Sequence, residues 1–416
     1  MTRALTIAAL CTVAVSVPAQ ELPERPYPQG DAFPLGAYSL QPAEEMAQVA
    51  SFGWNFGHSY QFTTEYLDAA LTNGLYSLAR IPRVNEDTSW DDVRARIEEL
   101  AHYDNIVWWD LPEELRYWVA DEQEMLERMP QLTREIDPQQ RPNYMYMPTH
   151  VTPGRIANDA PHLDIIGCGG YVEYHHMPRS WIRYAIEREI EGIRRAGFEV
   201  GRDYLAGEKT PIAVLQLFYS ADRMSIISPI DARHDFWASI AAGAQGTLLF
   251  SYWHKRDGGV LQDTWEAYAE CARQLTEANL GPVILFGEQY EELSFGIVRG
   301  PRMSAPFMPY GYNHEIRYPS LNVRAWTHEG SLYVIAVNSS ERSITARLSG
   351  FPDGATEAVA LFEEAEAREA NPEADQEAVE GADDGAPAQR IVPITSSTLE
   401  DNFGGLGVHI YQVALP

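Results

Sequence analysis

One segment in the first half of the chain carries the residue types that acid–base chemistry needs. Two tryptophans, Trp108 and Trp109, are followed by Asp110 and then by the adjacent glutamates Glu113 and Glu114. A carboxyl group buried among aromatic rings has a raised pKa, because burial disfavours its charged form, and it can then protonate a leaving oxygen. The segment therefore predicts Glu114 as a general acid assisted by Glu113, with Asp110 contacting the substrate.

A structural interpretation of the same glutamates is also open. Acidic residues favour the positively polarised amino-terminal end of a helix, so residues 112–114 could simply begin the next helix. The sequence alone leaves both interpretations standing.

Side chains suited to a sugar follow several other apolar runs. Sugars stack their C–H faces on aromatic rings, and their hydroxyl groups bond to acids and amides. The predicted substrate-contacting residues are Tyr60, Asp110, Tyr171, His175, Gln216, Trp253 and His254. Glu173 is the candidate second carboxylate, although it could equally be a hydrogen-bonded residue at the rim.

The elements that position these residues alternate between strand and helix. Eight short apolar runs are separated by stretches with helical spacing; they cover residues 35–40, 55–60, 75–81, 106–109, 143–147, 163–167, 212–218 and 247–253. This alternation predicts a parallel (β/α)8 barrel over residues 33–285, with functional residues at the carboxyl ends of its strands. A doubly wound open sheet is disfavoured because the first strand, at residues 35–39, does not lead into a glycine-rich turn.

The pattern changes after residue 285. Short segments in which apolar and polar residues alternate predict an antiparallel β-sandwich over residues 286–416. The predicted strands are residues 321–326, 331–337, 343–348, 359–362 and 408–413. Within it, residues 363–387 contain ten acids and the single base Arg368. This composition predicts a solvated, disordered loop.

The amino terminus predicts export. Arg3 precedes an apolar run at residues 4–17, and small residues follow at the spacing of a cleavage site, so we expect a signal peptide at residues 1–19 and a linker at 20–32. No later apolar run is long enough to span a membrane. Cys168 and Cys271 form no disulfide framework or metal-binding motif, and no cofactor is expected. The formal net charge of −29 argues against nucleic acid as a partner.

The order of these motifs resembles a known superfamily. Residues 105–114 are similar to the fourth strand of the (β/α)8 glycoside hydrolases whose acid/base glutamate closes that strand, and in particular to a poorly characterised branch with a carboxy-terminal β-sandwich. Further similarity lies in strands six to eight and in the last sandwich strands, at residues 163–171, 211–218, 241–253 and 399–411. The resemblance implies that Glu114 matches the glutamate of the motif and Glu113 the preceding aspartate.

Strand seven departs from that pattern. Retaining members of the superfamily have a glutamate nucleophile there, whereas this chain has Gln216. An amide cannot form a covalent glycosyl intermediate. Three explanations stay open: Glu173 serves instead, the enzyme inverts configuration across a water molecule, or the barrel binds sugar without cleaving it.

Other interpretations concern the histidines, the basic residues and the tryptophans. Histidines follow several strands and could hold a metal in a metal-dependent hydrolase, namely His58, His150, His175, His176 and His254. The first strand, however, lacks the His-x-His pair of amidohydrolase barrels, and no G-x-S-x-G motif indicates a serine esterase. Five basic residues could bind an anionic glycan: Arg179, Arg183, His254, Lys255 and Arg256. Core packing is expected for Trp54, Trp109, Trp118 and Trp181, and Trp253 could be a stacking platform or a core residue.

These observations predict a secreted glycoside hydrolase that acts on a poly- or oligosaccharide. The alternative from a different functional class is a non-catalytic carbohydrate-binding protein with a degenerate barrel.

Overall fold

A computed structural model describes residues 22–41, 45–220, 226–256, 259–364 and 389–415. The predicted signal peptide and almost all of the acidic segment at 363–387 lie outside these residues. Residues 22–32 lie against the amino-terminal end of the barrel, where the Tyr76 hydroxyl donates to the carbonyl of Pro23 over 2.5 Å.

Eight parallel strands form a closed barrel in sequential order, which confirms the predicted fold class. Their bounds are β1 Leu35–Ala37, β2 Phe56–Gly57, β3 Tyr76–Arg80, β4 Ile106–Asp110, β5 Asn143–Met147, β6 Ile165–Gly170, β7 Thr210–Gln216 and β8 Thr247–Phe250. Most strands end earlier than their apolar runs, because the last apolar residues of several runs belong to the loops of the barrel mouth.

Helices connect these strands and surround the barrel. They are α1 Met46–Ser51, α2 Thr64–Thr72, α3 Trp90–Leu100, α4 Ala120–Ile136, α5 Pro153–Asp159, α6 Val172–His175, α7 Trp181–Arg195, α8 Pro229–Ala242, α9 Gln262–Glu277 and α10 Leu280–Phe286. Because α4 begins at Ala120, the interpretation in which residues 112–114 open a helix is wrong. Those residues belong to a loop.

The barrel interior is filled mainly by aromatic side chains that alternate along the strands. Tyr144 and Tyr146 of β5 point inward, whereas Met145 and Met147 join the outer core between strands and helices. The neighbouring strand β6 has glycine at the facing positions. A Cβ atom on Gly167 would collide with the ring and hydroxyl of Tyr144, so this close approach requires glycine.

The carboxy-terminal region forms two antiparallel sheets, which confirms the predicted β-rich domain. The strands are β9 Glu288–Gln289, β10 Ser294–Arg299, β11 Leu321–His328, β12 Ser331–Asn338, β13 Ile344–Ser349, β14 Glu357–Glu364, β15 Gln389–Pro393, β16 Thr398–Phe403 and β17 Val408–Ala414. The six-stranded sheet has the order β15-β14-β17-β12-β11-β9, and the three-stranded sheet has the order β10-β13-β16. The strands predicted from alternation are all present, and the resemblance also covered β16, whereas β9, β10 and β15 were not predicted.

Helix α8 joins the two parts of the chain. It lies between the barrel and the six-stranded sheet, and apolar residues on several sides of it are buried, as expected for a helix covered on two faces. The buried His234 of α8 lies 2.9 Å from the Ser339 hydroxyl and 2.8 Å from Asp235. One apolar core runs without interruption from the barrel into the inner face of this sheet.

A further connection is the segment between β10 and β11, residues 301–319, which we call the arm. Its two sides are joined by mutual backbone hydrogen bonds between Phe307 and Ile316. Phe307 packs against Trp181 and Tyr184 of α7, with ring centroids 5.3 and 5.6 Å apart. The arm therefore lies along the outside of the barrel and brings its tip to the loop after β5.

Cys168 and Cys271 are buried free thiols. Within the described ranges, no helix combines the length and apolarity that crossing a bilayer requires.

Adding a methyl group to Gly167 tests the fit inside the barrel. We expect Gly167→Ala to lower the free energy of unfolding by about 1–3 kcal/mol, because the new Cβ overpacks against Tyr144. Gly296→Ala is the matched control, since Gly296 also lies in a strand but faces open space. Urea unfolding followed by circular dichroism measures both variants, and equal stabilities would contradict this account of the interior.

Candidate active site

The loop after β4 places one glutamate at the mouth of the barrel. The Tyr60 hydroxyl, from the loop after β2, donates to Oε1 of Glu113 over 2.6 Å. The guanidinium of Arg80, at the end of β3, lies 4.5 Å from the centre of the Tyr60 ring. Three neighbouring strands therefore supply the surroundings of the Glu113 carboxyl group.

The second glutamate of the pair points away from the mouth. Glu114 adopts a left-handed backbone conformation with φ of 60°, and its N–H donates to the Tyr146 carbonyl over 3.1 Å. This turn separates two consecutive side chains, so Glu113 faces the mouth while Glu114 is exposed beside His150 and Arg155. The structure thus brings Glu113, and not Glu114, together with Tyr60 and Asp110.

Two arginines hold this loop in place. The Arg83 guanidinium donates to the carbonyl of Glu113 over 2.9 Å, and Arg155 donates to the carbonyl of Leu115 over 2.7 Å. Nε of Arg155 also lies 3.4 Å from Oδ2 of the buried Asp159. Because both arginines bond to backbone carbonyls, they fix the turn at Glu114 whichever side chains the loop carries.

A buried pair lies next to Glu113. Nε2 of His58, at the end of β2, lies 3.0 Å from Oδ2 of Asp110, and both side chains are almost fully buried. The two groups are close, but the pair does not have the geometry of a hydrogen bond. Burial raises the pKa of Glu113, and the nearby charge of Asp110 raises it further, whereas Tyr60 acts in the opposite direction. Glu113 therefore keeps its proton to a higher pH than an exposed glutamate does.

Aromatic rings form the floor beneath these groups. The hydroxyl oxygens of Tyr38 and Tyr144 are 2.6 Å apart, and Tyr171 stacks on Tyr146 with ring centroids 6.1 Å apart. The ring centroid of Phe250 lies 5.7 Å from that of Tyr38 and 5.9 Å from that of Tyr171. These rings exclude water from below, which explains why burial is the main cause of the raised pKa of Glu113.

The second predicted carboxylate lies in a short helix beyond β6. Glu173 of α6 is 31% exposed and pairs through Oε1 with the buried Arg179. Arg179 also bonds to Asp231 and Asp235 at 3.1 and 2.9 Å. Burial raises the pKa of Glu173, although the positive charge of Arg179 favours its ionised form. Glu173 is thus anchored at the edge of the mouth by one of its two oxygens.

The side chain of Gln216 bonds to the backbone at both ends of its amide. Its oxygen accepts from the N–H of Tyr174 over 3.0 Å, and its nitrogen donates to the carbonyl of Phe218 over 3.2 Å. The residue is 1% exposed. A carboxylate could accept the first bond but could not donate the second. The amide at the end of β7 therefore ties α6 to the loop after β7.

The other predicted contact residues are spread around the mouth. Tyr171 belongs to the aromatic floor, and His175 bonds to Thr149 over 2.5 Å, linking α6 to the loop after β5. Trp253 is 47% exposed, so its interpretation as a core residue is wrong. His254 bonds to Ser251 over 2.6 Å and its ring lies near Phe250.

The structure also bears on the sequence interpretations of the tryptophans, of Arg183 and of a metal site. Trp54, Trp109 and Trp181 are buried, as predicted, but Trp118 is 58% exposed because it precedes α4 instead of packing inside a helix. Arg183 pairs with Glu187. In the part of the chain that the structure describes, no three His, Cys, Asp or Glu side chains are grouped so as to hold a metal ion.

Some residues of the mouth were missed by sequence reasoning. They are Tyr38, Arg80, Tyr144, Tyr146 and Phe250. These residues could have been predicted from the sequence, because every second side chain of a strand points to the same side of the sheet. Each of them lies two residues from another inward-facing position of its strand.

Comparisons with known proteins agree with this architecture. No protein-family model and no curated protein sequence matches the chain, but many solved structures do. One is described as a glycoside hydrolase, with 14% identity, a TM-score of 0.53 and 92% of each chain covered. A glycoside hydrolase family 5 protein from Bacteroides vulgatus has 13% identity and a TM-score of 0.51, covering 92% of this chain and 89% of that one.

An α-amylase from Geobacillus thermoleovorans, solved with acarbose, has 8% identity and a TM-score of 0.50, covering 89% of this chain and 91% of that one. At these identities the similarity concerns the fold. The chain has the barrel and β-rich carboxy-terminal domain of solved glycoside hydrolases, which confirms the resemblance at that level.

Replacing the strand-seven amide by an acid tests its structural role. We expect Gln216→Glu to lower the free energy of unfolding at pH 7 by about 1–3 kcal/mol, because the bond to the Phe218 carbonyl is lost in a buried place. The loss should shrink as the pH falls, since burial raises the pKa of the new acid and its protonated form can donate again. Urea unfolding at several pH values measures this, with the exposed Gln48→Glu as control. A pH-independent difference would contradict the assignment.

Proposed function

We propose that this protein is a secreted glycoside hydrolase that cleaves a neutral poly- or oligosaccharide, with Glu113 as the general acid. One observation carries the proposal: the Glu113 carboxyl group lies at the barrel mouth, bonded to Tyr60 and with its pKa raised by burial and by Asp110. A protonated carboxyl above an aromatic floor is what protonation of a glycosidic oxygen requires. The acid role that the sequence assigned first to Glu114 thus passes to its neighbour.

Each group near Glu113 has a part in this reaction. The raised pKa keeps the acid protonated while substrate binds, and the proton passes to the leaving oxygen as the glycosidic bond breaks. Tyr60 orients the carboxyl group by donating to one oxygen, which leaves the other free to act on the substrate. Tyr60 and Trp253 are the exposed rings on which the sugar faces stack.

A neutral substrate fits the charges at the mouth better than an anionic one. Arg179 is neutralised by three acidic residues, and Arg183 pairs with Glu187, so neither is available to a carboxylate or sulfate group on the substrate. The net charge of −29 also repels anionic polymers.

Glu173 is the proposed second carboxylate. Burial raises the pKa of Glu173, whereas the charge of Arg179 favours the ionised form and Arg179 holds one oxygen, so the other oxygen can accept a proton from a water molecule. Since Gln216 offers no nucleophile at the end of β7, we assign Glu173 the role of general base, and the reaction then inverts the configuration at the anomeric carbon.

The second candidate function is carbohydrate binding without cleavage. The observation that favours it is the amide of Gln216, which bonds to the backbone at both ends and leaves no reactive group at the usual place of the nucleophile.

Exchanging each glutamate of the pair for glutamine separates these possibilities. We expect Glu113→Gln to lower kcat for sugar release from polysaccharides by about 10²–10⁴-fold, because the proton donor is lost. Glu114→Gln is the matched control and should cost less than tenfold. Reducing-sugar release from a panel of neutral and anionic polysaccharides measures both variants.

Leaving-group dependence identifies the role of the residue that is lost. Aryl glycosides with very good leaving groups need no proton donor, so the Glu113→Gln defect should be much smaller on them than on poor leaving groups. The wild-type rate should fall as the pH rises through the raised pKa of Glu113. A severe defect confined to Glu114→Gln would return the acid role to Glu114, and no release by the wild type would favour the binding protein.

The configuration of the first product tests the role of Glu173. We expect NMR of a fresh reaction to show the anomer opposite to that of the substrate, and Glu173→Gln to lose activity on good and poor leaving groups alike, because a base is needed in both cases. Retention of configuration would contradict the assignment.

A further inference from the structure

A cleft of about 530 Å³ lies beside the barrel mouth, between the loops after β4 and β5 and the tip of the arm. Its size is within the range of roughly 300–1,000 Å³ found for ligand-binding pockets. Tyr117, Trp118 and Tyr310 present exposed rings to it, and the two most exposed are Trp118 from the β4 loop and Tyr310 from the arm. The carboxy-terminal domain therefore contributes a side chain to the rim of the barrel.

These rings are unusually exposed for their size. Trp118 is 58% and Tyr310 70% exposed. Large exposed aromatic rings that share one concave surface are typical of places where a ligand binds.

Both rings are nevertheless held in place. The guanidinium of Arg155 lies 4.8 Å from the centre of the Trp118 ring, and Arg155 is itself fixed by Asp159 and the carbonyl of Leu115. Tyr310 meets the His150 ring edge-on at 5.7 Å.

The tip of the arm is anchored as well. Phe307 fixes the arm to α7, and a Cβ atom at Gly311 would come within 3.1 Å of Thr152, which shows how closely the tip approaches the β5 loop. Rings that are positioned before binding lose little conformational freedom when a ligand stacks on them.

The cleft and the proposed catalytic site lie on opposite sides of one turn. Glu114 lines the cleft, and the preceding residue, Glu113, has its carboxyl group at the mouth. A glycan chain that binds beside Glu113 and passes over this turn would meet Trp118 and Tyr310. The two arginines that line the cleft are ion-paired, Arg155 with Asp159 and Arg116 with Glu122, so the charges favour a neutral occupant.

We propose that this cleft is an accessory binding site for the neutral glycan chain that extends from the mouth, with Trp118 and Tyr310 stacking on successive sugar rings. The proposal rests on the proposed function for the identity of its ligand. It adds that the arm of the carboxy-terminal domain takes part in holding a long substrate.

The test measures binding separately from cleavage. Full-length protein carrying Glu113→Gln is compared with the same protein carrying in addition Trp118→Ala, Tyr310→Ala or, as a matched control, Phe295→Ala, which removes an exposed ring from β10. Native affinity electrophoresis in gels containing soluble starch, xylan, galactomannan, carboxymethylcellulose or alginate gives a Kd for each polysaccharide.

We expect at least one neutral polysaccharide to retard the parent protein. Trp118→Ala and Tyr310→Ala should each raise the Kd about three- to tenfold, as the loss of one stacking ring implies. Phe295→Ala should leave the Kd unchanged, and Tyr310→Phe should restore parental binding because it keeps the ring. Thermal unfolding of the four variants checks that each remains folded.

Several outcomes would overturn the proposal. One is an unchanged Kd in both Trp118→Ala and Tyr310→Ala, and another is an equal loss of affinity in Phe295→Ala. A third is retardation by alginate or carboxymethylcellulose alone. A fourth is no retardation by any polysaccharide, in which case a protein or peptide partner becomes the candidate occupant. Failure of the proposed function gives a different result: the alanine variants would weaken binding although wild-type protein releases no sugar. If cleavage depends on Glu113 while the alanine variants bind normally, only the accessory site is lost.

Discussion

The candidate site depends on how two tyrosine side chains of β5 pack against glycines of the neighbouring strand β6. Tyr144 and Tyr146 of β5 reach across the barrel interior because β6 has glycine where they lie, at Gly167 and Gly169. Tyr171 then closes the layer above. This arrangement builds an aromatic floor just below the mouth, so any carboxyl group above it is shielded from water on one side. The raised pKa of Glu113 therefore depends in part on Gly167 and Gly169, which leave room for the tyrosine rings below it.

The fold was largely predictable because its signals are local and repeated. Eight apolar runs separated by helical spacing are hard to reconcile with other architectures, and the acidic residues after the fourth run predicted a catalytic site at the end of that strand. Which of the two glutamates faces the mouth could not be predicted in this way. The orientation depends on the left-handed turn at Glu114, which is fixed by a bond to the Tyr146 carbonyl and by arginines from other loops. No pattern within the segment encodes those partners.

The arm and Gln216 illustrate the same limit. The sequence of the arm shows neither the alternation of apolar residues typical of a strand nor the spacing typical of a helix. Its position depends on the packing of Phe307 against two aromatic rings of α7. The resemblance marked Gln216 as a missing nucleophile, but its bonds to the backbone of Tyr174 and Phe218 appear only in three dimensions. Side chains whose roles depend on distant backbone atoms are therefore the ones that sequence reasoning described least well.

The position of α8 has a consequence for the modularity of this chain. A sequence boundary near residue 285 separates two topologies, yet α8 is covered on one side by the barrel and on the other by the six-stranded sheet, and His234 bonds across to Ser339. Cutting the chain at that boundary would leave the apolar residues of a barrel helix facing water and the histidine without its partner. The boundary therefore separates the two topologies but does not separate two hydrophobic cores. Because the six-stranded sheet covers a barrel helix, the sandwich could not be exchanged between proteins as an independent domain.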